Sequence, residues 1–95
     1  MRYKKLRCGR RFIEALQIPL SKKNFVLLRG RKGYIMCGYL NLASAEKFGD
    51  LAIKITGVAT IEEALVTTVH SCTSAAKKLG IRKGQTVKEV LSKII

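Results

Sequence analysis

Cys37 is a candidate nucleophile, and as one it would need a depressed pKa and a base within hydrogen-bond reach. The single histidine of the chain, His70, lies in a stretch whose spacing predicts helix, and nothing in the sequence brings it to Cys37. The paired acids Glu62 and Glu63 fall in a predicted first helical turn, where carboxylates complement the helix dipole rather than perform acid–base work. Cys8, Cys37 and Cys72 are odd in number and widely spaced, which gives neither a disulfide framework nor zinc-ligand spacing and suits thiols that pack as small hydrophobes. With one histidine and no clustered cysteines, no metal site within one chain and no cofactor is expected. The chemistry-bearing residues thus lean away from an enzyme.

Two constellations could bind rather than react. In the first, Cys37, Gly38 and Tyr39 lead into Asn41, a good helix N-cap, with Asp50 just beyond the same helix. Gly38 would allow close backbone approach, and the first-turn N–H groups of the helix attract anions. A lone glycine before a helix equally serves tight packing, and Asp50 equally completes a turn. In the second, Arg7, Arg10 and Arg11 lie on a predicted β ribbon, and Arg29, Arg31 and Lys32 crowd a predicted hairpin tip. Tyr3, Phe12 and Tyr34 are interleaved with them and could stack on bases. No recognised nucleic-acid motif accompanies these residues, so any such binding would be sequence-nonspecific.

These residues are positioned by an α+β pattern: N-terminal antiparallel β hairpins, then a strand-helix-strand unit, then C-terminal helices, all in one domain of 95 residues. Segments 2–8 and 11–18 flank a Gly9-Arg10 turn. Pro19 and the polar run Ser21 to Asn24 break the pattern, and strands 25–29 and 34–40 follow, joined by Gly30-Arg31-Lys32-Gly33, whose glycines suit positive backbone angles. Leu42, Ala45 and Phe48 at spacing three predict a short helix closed by Gly49. Leu51, Ile53 and Ile55 alternate as in a half-buried strand. Thr60 with Glu63 is a capping box that opens one helix running to Leu79, which the β-branched run Val66 to Val69 weakens and could interrupt. Thr86 with Glu89 opens the last helix, striped by Val87, Val90, Leu91 and Ile94.

Strands 25–29 and 34–40 are apolar at consecutive positions, so both of their faces need cover. A chain this short supplies helices for one face, and a second copy is the economical cover for the other. Residues 2–40 are therefore expected to assemble a homo-oligomer, with 41–95 as a mixed helical part. The net charge of +13 is concentrated at the N-terminus: residues 1–33 hold eleven Lys or Arg against Glu14 alone. An acidic partner, nucleic acid or another polyanion, would suit that charge, as would a purely solubilising surface. No apolar run approaches a membrane span and no signal-peptide pattern appears, so a cytoplasmic protein with no membrane partner is expected.

The segments Gly33-Tyr-Ile-Met-Cys-Gly-Tyr-Leu40, Glu46-Lys-Phe-Gly-Asp50, Gly57-Val58, Ala75-Ala-Lys-Lys-Leu-Gly-Ile81, Gly84 and Glu89-Val-Leu91 resemble the YunC-like family of bacterial and archaeal domains of unknown function. The resemblance spans nearly the whole chain. It implies an N-terminal β region used for tetramerisation, which falls on residues 2–40 here. It brings no catalytic mechanism to any position, and the dense N-terminal basic charge departs from the family pattern.

Overall fold

The computed structural model describes residues 1–95. Strands β1 (Arg2–Cys8) and β2 (Arg11–Pro19) form a hairpin whose turn includes Gly9 at φ +64°, a conformation that costs glycine little. Strands β3 (Asn24–Arg29) and β4 (Tyr34–Met36) continue the antiparallel meander. Helix α1 (Leu42–Lys47) then crosses over to β5 (Ala52–Lys54), which runs parallel to β4. Helix α2 (Ile61–Val66), strand β6 (Ser71–Cys72), helix α3 (Ser74–Lys78) and helix α4 (Val87–Ile94) complete the chain. The sheet order is β1-β2-β3-β4-β5-β6, and β6 is antiparallel to β5.

Alternation assigns the two faces of the sheet. Ile13, Ala15, Val26, Leu28, Ile35 and Ile53 point one way and are almost fully buried beneath Ile61 and Ala64 of α2 and Val87, Val90 and Ile94 of α4, which belong to the same core cluster. This is the inner face. On the outer face Tyr34, Met36 and Ala52 pack with Ala45 of α1 and with Leu40. The β4–β5 region is therefore covered on both sides by one chain, and the outer face of β1–β3 has no covering element.

Several elements differ from the expectation, each for a physical reason. The strand expected over 34–40 stops at Met36, because the chain turns through Gly38 and Tyr39, with the Leu40 N–H donating to the Cys37 carbonyl at 3.0 Å, to send α1 to the outer face. Ala52 and Ile53 are both buried, so β5 is a central strand and not a half-buried one. The helix expected over 60–79 divides into α2, β6 and α3. Its break falls at Thr67 to His70, where the β-branched residues find extended partners: the Val69 N–H donates to Gln85 and the His70 N–H to Lys54. His70 accordingly lies outside any helix.

Gly30 and Gly33 do not have positive φ. Both are glycine because other backbone comes too close: a Cβ would strike the Ile94 carbonyl at Gly30 and Leu51 at Gly33. The N–H groups of Lys32 and Gly33 donate to that Ile94 carbonyl, so the β3–β4 turn caps the C-terminus of α4. The helix starts match expectation more closely. Thr60 and Glu63 form a complete capping box, and Thr86 accepts from the Glu89 N–H. The first turn of α3 is capped from a distance, by Glu46 of α1 accepting from the Ser74 N–H and hydroxyl. Those bonds hold the Glu46 carboxyl below its usual pKa.

Candidate functional site

The meander has two chemically distinct ends. At one, the β1–β2 turn brings Arg7, Arg10 and Arg11 together with the β3–β4 turn, which carries Arg31 and Lys32, since alternate turns of an antiparallel meander share one edge. All five are exposed. Arg29, grouped with them from sequence, is instead bound to Glu14, which lies directly across from it on β2. That ion pair holds the Glu14 carboxyl below its usual pKa, and a hydrogen bond from the Tyr3 hydroxyl at 2.7 Å adds to the effect. Glu14 thus neutralises charge on the outer face before the basic end begins. Arg2, on the inner face, reaches Glu62 of α2 at 2.6 Å and pulls that carboxyl down to about 2.

Between these residues and the opposite end, the outer face is apolar. Tyr3, Leu16, Leu27 and Met36 are paired neighbours across four strands, and Ile18 and Phe25 form the next row. Leu16, Ile18, Phe25, Leu27 and Met36 are only partly buried in the single chain, and Tyr3 is 46% exposed.

At the other end of the sheet lies a cleft of about 890 Å³. It sits at the carboxyl ends of the parallel strands β4 and β5. The chain leaving β4 turns to the outer face to form α1, and the chain leaving β5 turns to the inner face to form α2. The two exits diverge and leave a crevice between Cys37–Tyr39 and Thr56–Ala59, closed on a third side by the β2–β3 turn with Lys22 and Lys23. The N–H groups of Gly38, Tyr39, Gly57 and Val58 donate to no acceptor in the protein. The Tyr39 ring is half exposed and lies 6.4 Å from that of Phe25, centroid to centroid.

The structure therefore brings together three of the residues singled out around Cys37 and separates the other two. Cys37, Gly38 and Tyr39 line the cleft. The Cys37 side chain is buried, its sulfur accepts from the Val26 N–H at 3.3 Å, and His70 is not among the residues lining the cleft. Asn41 is spent as the N-cap of α1, accepting from the Ser44 N–H. Asp50 lies beside the start of β4, accepting from the Tyr34 hydroxyl at 2.8 Å. Burial foremost, with that bond, pushes the Tyr34 pKa up to about 12. Nearby, the buried Thr73 hydroxyl donates to the Asp50 carbonyl and accepts from the Ala52 N–H, a structural tie. No cluster of three His, Cys, Asp or Glu side chains could hold a metal ion, and no helix is long and apolar enough to cross a membrane. Lys22, Lys23, Thr56, Gly57 and Val58 are among the cleft residues that the sequence pattern missed; the available signal was the strand-helix-strand unit, whose parallel strands open such a crevice at their carboxyl ends.

Residues 36–94 match a family described as a domain of unknown function, DUF1805. The chain belongs to this family. As a DUF1805 domain it is 36% identical to the uncharacterized protein YunC of Bacillus subtilis (strain 168), over 85% of this chain and 84% of that protein. Its structure is similar to the crystal structure of a protein of unknown function, TA1206, from Thermoplasma acidophilum. The TM-score is 0.95 at 30% identity, covering 99% of this chain and 92% of the other. The YunC-like resemblance and the α+β fold therefore hold. The match to the DUF1805 domain begins at Met36, at the end of the meander. It takes in the carboxyl ends of both parallel strands, whereas β1–β3 and the basic end precede it.

Proposed function

We propose that this protein works as a homo-oligomer, a tetramer, assembled through the apolar half of the outer sheet face, with a binding or structural role and no catalysis of its own. The observation that carries the reading is the row Tyr3, Leu16 and Leu27, which no element of the chain covers and which runs up to Met36 at the edge of α1, with Ile18 and Phe25 beside it. A contiguous apolar patch on a small domain marks a contact surface. A second copy fits it, because the patch carries no charge of its own to require an oppositely charged partner. Glu14, the acid nearest to it, is already satisfied by Arg29 and Tyr3. Covering the row from Tyr3 to Leu27 removes apolar area from water, and Lys54, across from Met36, marks its charged border. Light scattering on the intact chain at micromolar concentration is expected to give a multiple of the monomer mass. Leu16→Lys with Leu27→Lys should give a folded monomer. A monomeric mass for the unaltered chain rejects the proposal.

A second reading has its own observation. Arg10, Arg11, Arg31 and Lys32 share one sheet edge, carry no ion pair, and lie beyond the proposed contact. Assembly would gather several copies of this edge onto one particle, which suits a polyanion such as nucleic acid bound without sequence preference. Affinity for single- or double-stranded nucleic acid should then fall steeply with salt, and Arg31→Ala with Lys32→Ala should lower the slope by about one for each phosphate no longer neutralised. Binding that ignores both salt and these substitutions would discard this reading and leave the assembly proposal standing.

A further inference from the structure

We propose that the cleft at the carboxyl ends of β4 and β5 binds a small phosphate-bearing molecule, with the phosphate on the paired loops and the organic part against Tyr39. In sheets with parallel strands, a crevice opens where two adjacent strands send their following chain to opposite faces, and ligands settle at that place. β4 and β5 are such a pair, with α1 on one face and α2 on the other. The crevice is large enough for a ligand of this class, at about 890 Å³.

Its chemistry is that of a hydrogen-bond donor. No Asp or Glu lines it, whereas Lys22 and Lys23 do, and neither lysine has an acidic partner. The free N–H groups of Gly38 and Tyr39 on one loop and of Gly57 and Val58 on the other offer two short runs of backbone donors, the arrangement that cradles phosphate oxygens elsewhere. Two lysines add charge-assisted bonds, stronger than neutral ones. Gly38 is the entrance: a Cβ there would meet nothing within 4 Å, so its hydrogen leaves open space where any side chain would intrude. The half-exposed Tyr39 ring, held beside Phe25, gives an apolar wall for the ester's organic group.

The inference shares only Phe25 with the assembly reading and is tested apart from it, by amide chemical-shift titration of the intact chain. Three probes are used: inorganic phosphate, phenyl phosphate and, as the neutral control, phenol. Phenyl phosphate should shift Gly38, Tyr39, Gly57 and Val58, saturate in about the millimolar range or tighter, and bind more tightly than inorganic phosphate. Gly38→Leu, whose Cβ meets no neighbour and which sits at no strained backbone angle, should abolish those shifts while the rest of the spectrum stays in place. Lys22→Ala with Lys23→Ala, both at exposed positions, should weaken binding by at least about tenfold. The proposal fails if phenol shifts the same amides equally, if phosphate shifts only the Arg10–Arg31 edge, if nothing saturates, or if the double lysine variant binds as the parent does.

Discussion

Leu27 and Leu28 are neighbours in β3 and belong to different worlds. Leu28 is fully buried under the helices, whereas Leu27 lies in the outer row and is only partly covered. The same contrast runs across β1–β3: one face of the meander is finished by its own chain, and the other is left apolar and open. Further along, β4 and β5 have α1 on the outer side, while on the inner side Ile35 and Ile53 belong to the main core, to which α3 contributes Ala76. Apolar residues on both faces of a strand therefore do not by themselves call for a second subunit. Part of that demand is met inside the chain by a single six-residue helix, and only β1–β3, with the edge of β4, is left to assembly.

Truncating the two leucines separately puts the contrast between the faces to its hardest trial. Leu28→Ala should destabilise the fold by about 2–5 kcal/mol, the usual cost of a cavity in a closed core, in chemical denaturation at any protein concentration. Leu27→Ala should cost clearly less in the isolated domain and act mainly on the oligomer mass. Equal losses in a monomeric form of the protein would erase the distinction between the faces.

The two ends of the sheet invite a similar test through their glycines. Gly30→Ala places a methyl against the Ile94 carbonyl, and overpacking of that kind should cost about 1–3 kcal/mol. Gly38→Ala, facing open space, should stay within about 0.5 kcal/mol of the parent, as unconstrained surface changes do. Thermal unfolding reads both, and a Gly38→Ala loss as large as that of Gly30→Ala would show that the cleft end is packed. On the inner side, Thr60→Ala removes the capping box of α2 and should cost about 1 kcal/mol.

The smallest effect concerns the Arg2–Glu62 pair that ties β1 to α2. The Glu62 pKa is lowered from 4.5 to about 2. The carboxylate therefore contributes stability above its unfolded value, and that contribution is lost as pH falls from about 4.5 towards 2. Arg2→Ala should flatten that part of the stability-against-pH curve by lowering stability slightly at neutral pH, where the pair is formed, and leaving it unchanged at the acid end, where the carboxyl is protonated in both states; the effect is small, as befits an exposed pair. An unaltered acid limb would mean that the pair is not formed in solution.

Much of the fold could be read from residue order alone. The Gly9 turn, the 2–8 and 11–18 strands, the Asn41 cap and the Thr60–Glu63 box are local devices, each set by side chains within a few residues of the backbone they serve. The segments read wrongly depend on distant partners. Val66 to Val69 carries helix-compatible apolar spacing and a β-branched composition at once, and the extended choice is made by Gln85 and Lys54. Gly30 looks like a turn glycine, yet the reason for it is the carbonyl of Ile94, at the far end of the chain.

The candidate sites divide in the same way. Cys37, Gly38 and Tyr39 were visible as a group because they are consecutive. Lys22, Lys23, Gly57 and Val58 join them only because β2–β3 turns back at the same end at which β4 and β5 finish. Asp50 looked close to that group because one short helix separates it from Asn41. A crossover helix, however, returns the chain to the start of the next parallel strand, which puts Asp50 near Tyr34 and away from Cys37.

Residue order alone was enough to specify five of the six strands, their two-faced apolar pattern, the starts of α1, α2 and α4 and the concentration of charge in residues 1–33, because alternation, capping and charge are local properties of a chain. Which apolar face is closed from within, which arginine is neutralised and where a cleft opens were set by the folded arrangement. Each of those depends on the direction in which a strand is entered and on the side to which the next helix turns, and these are settled by contacts between residues far apart in the chain.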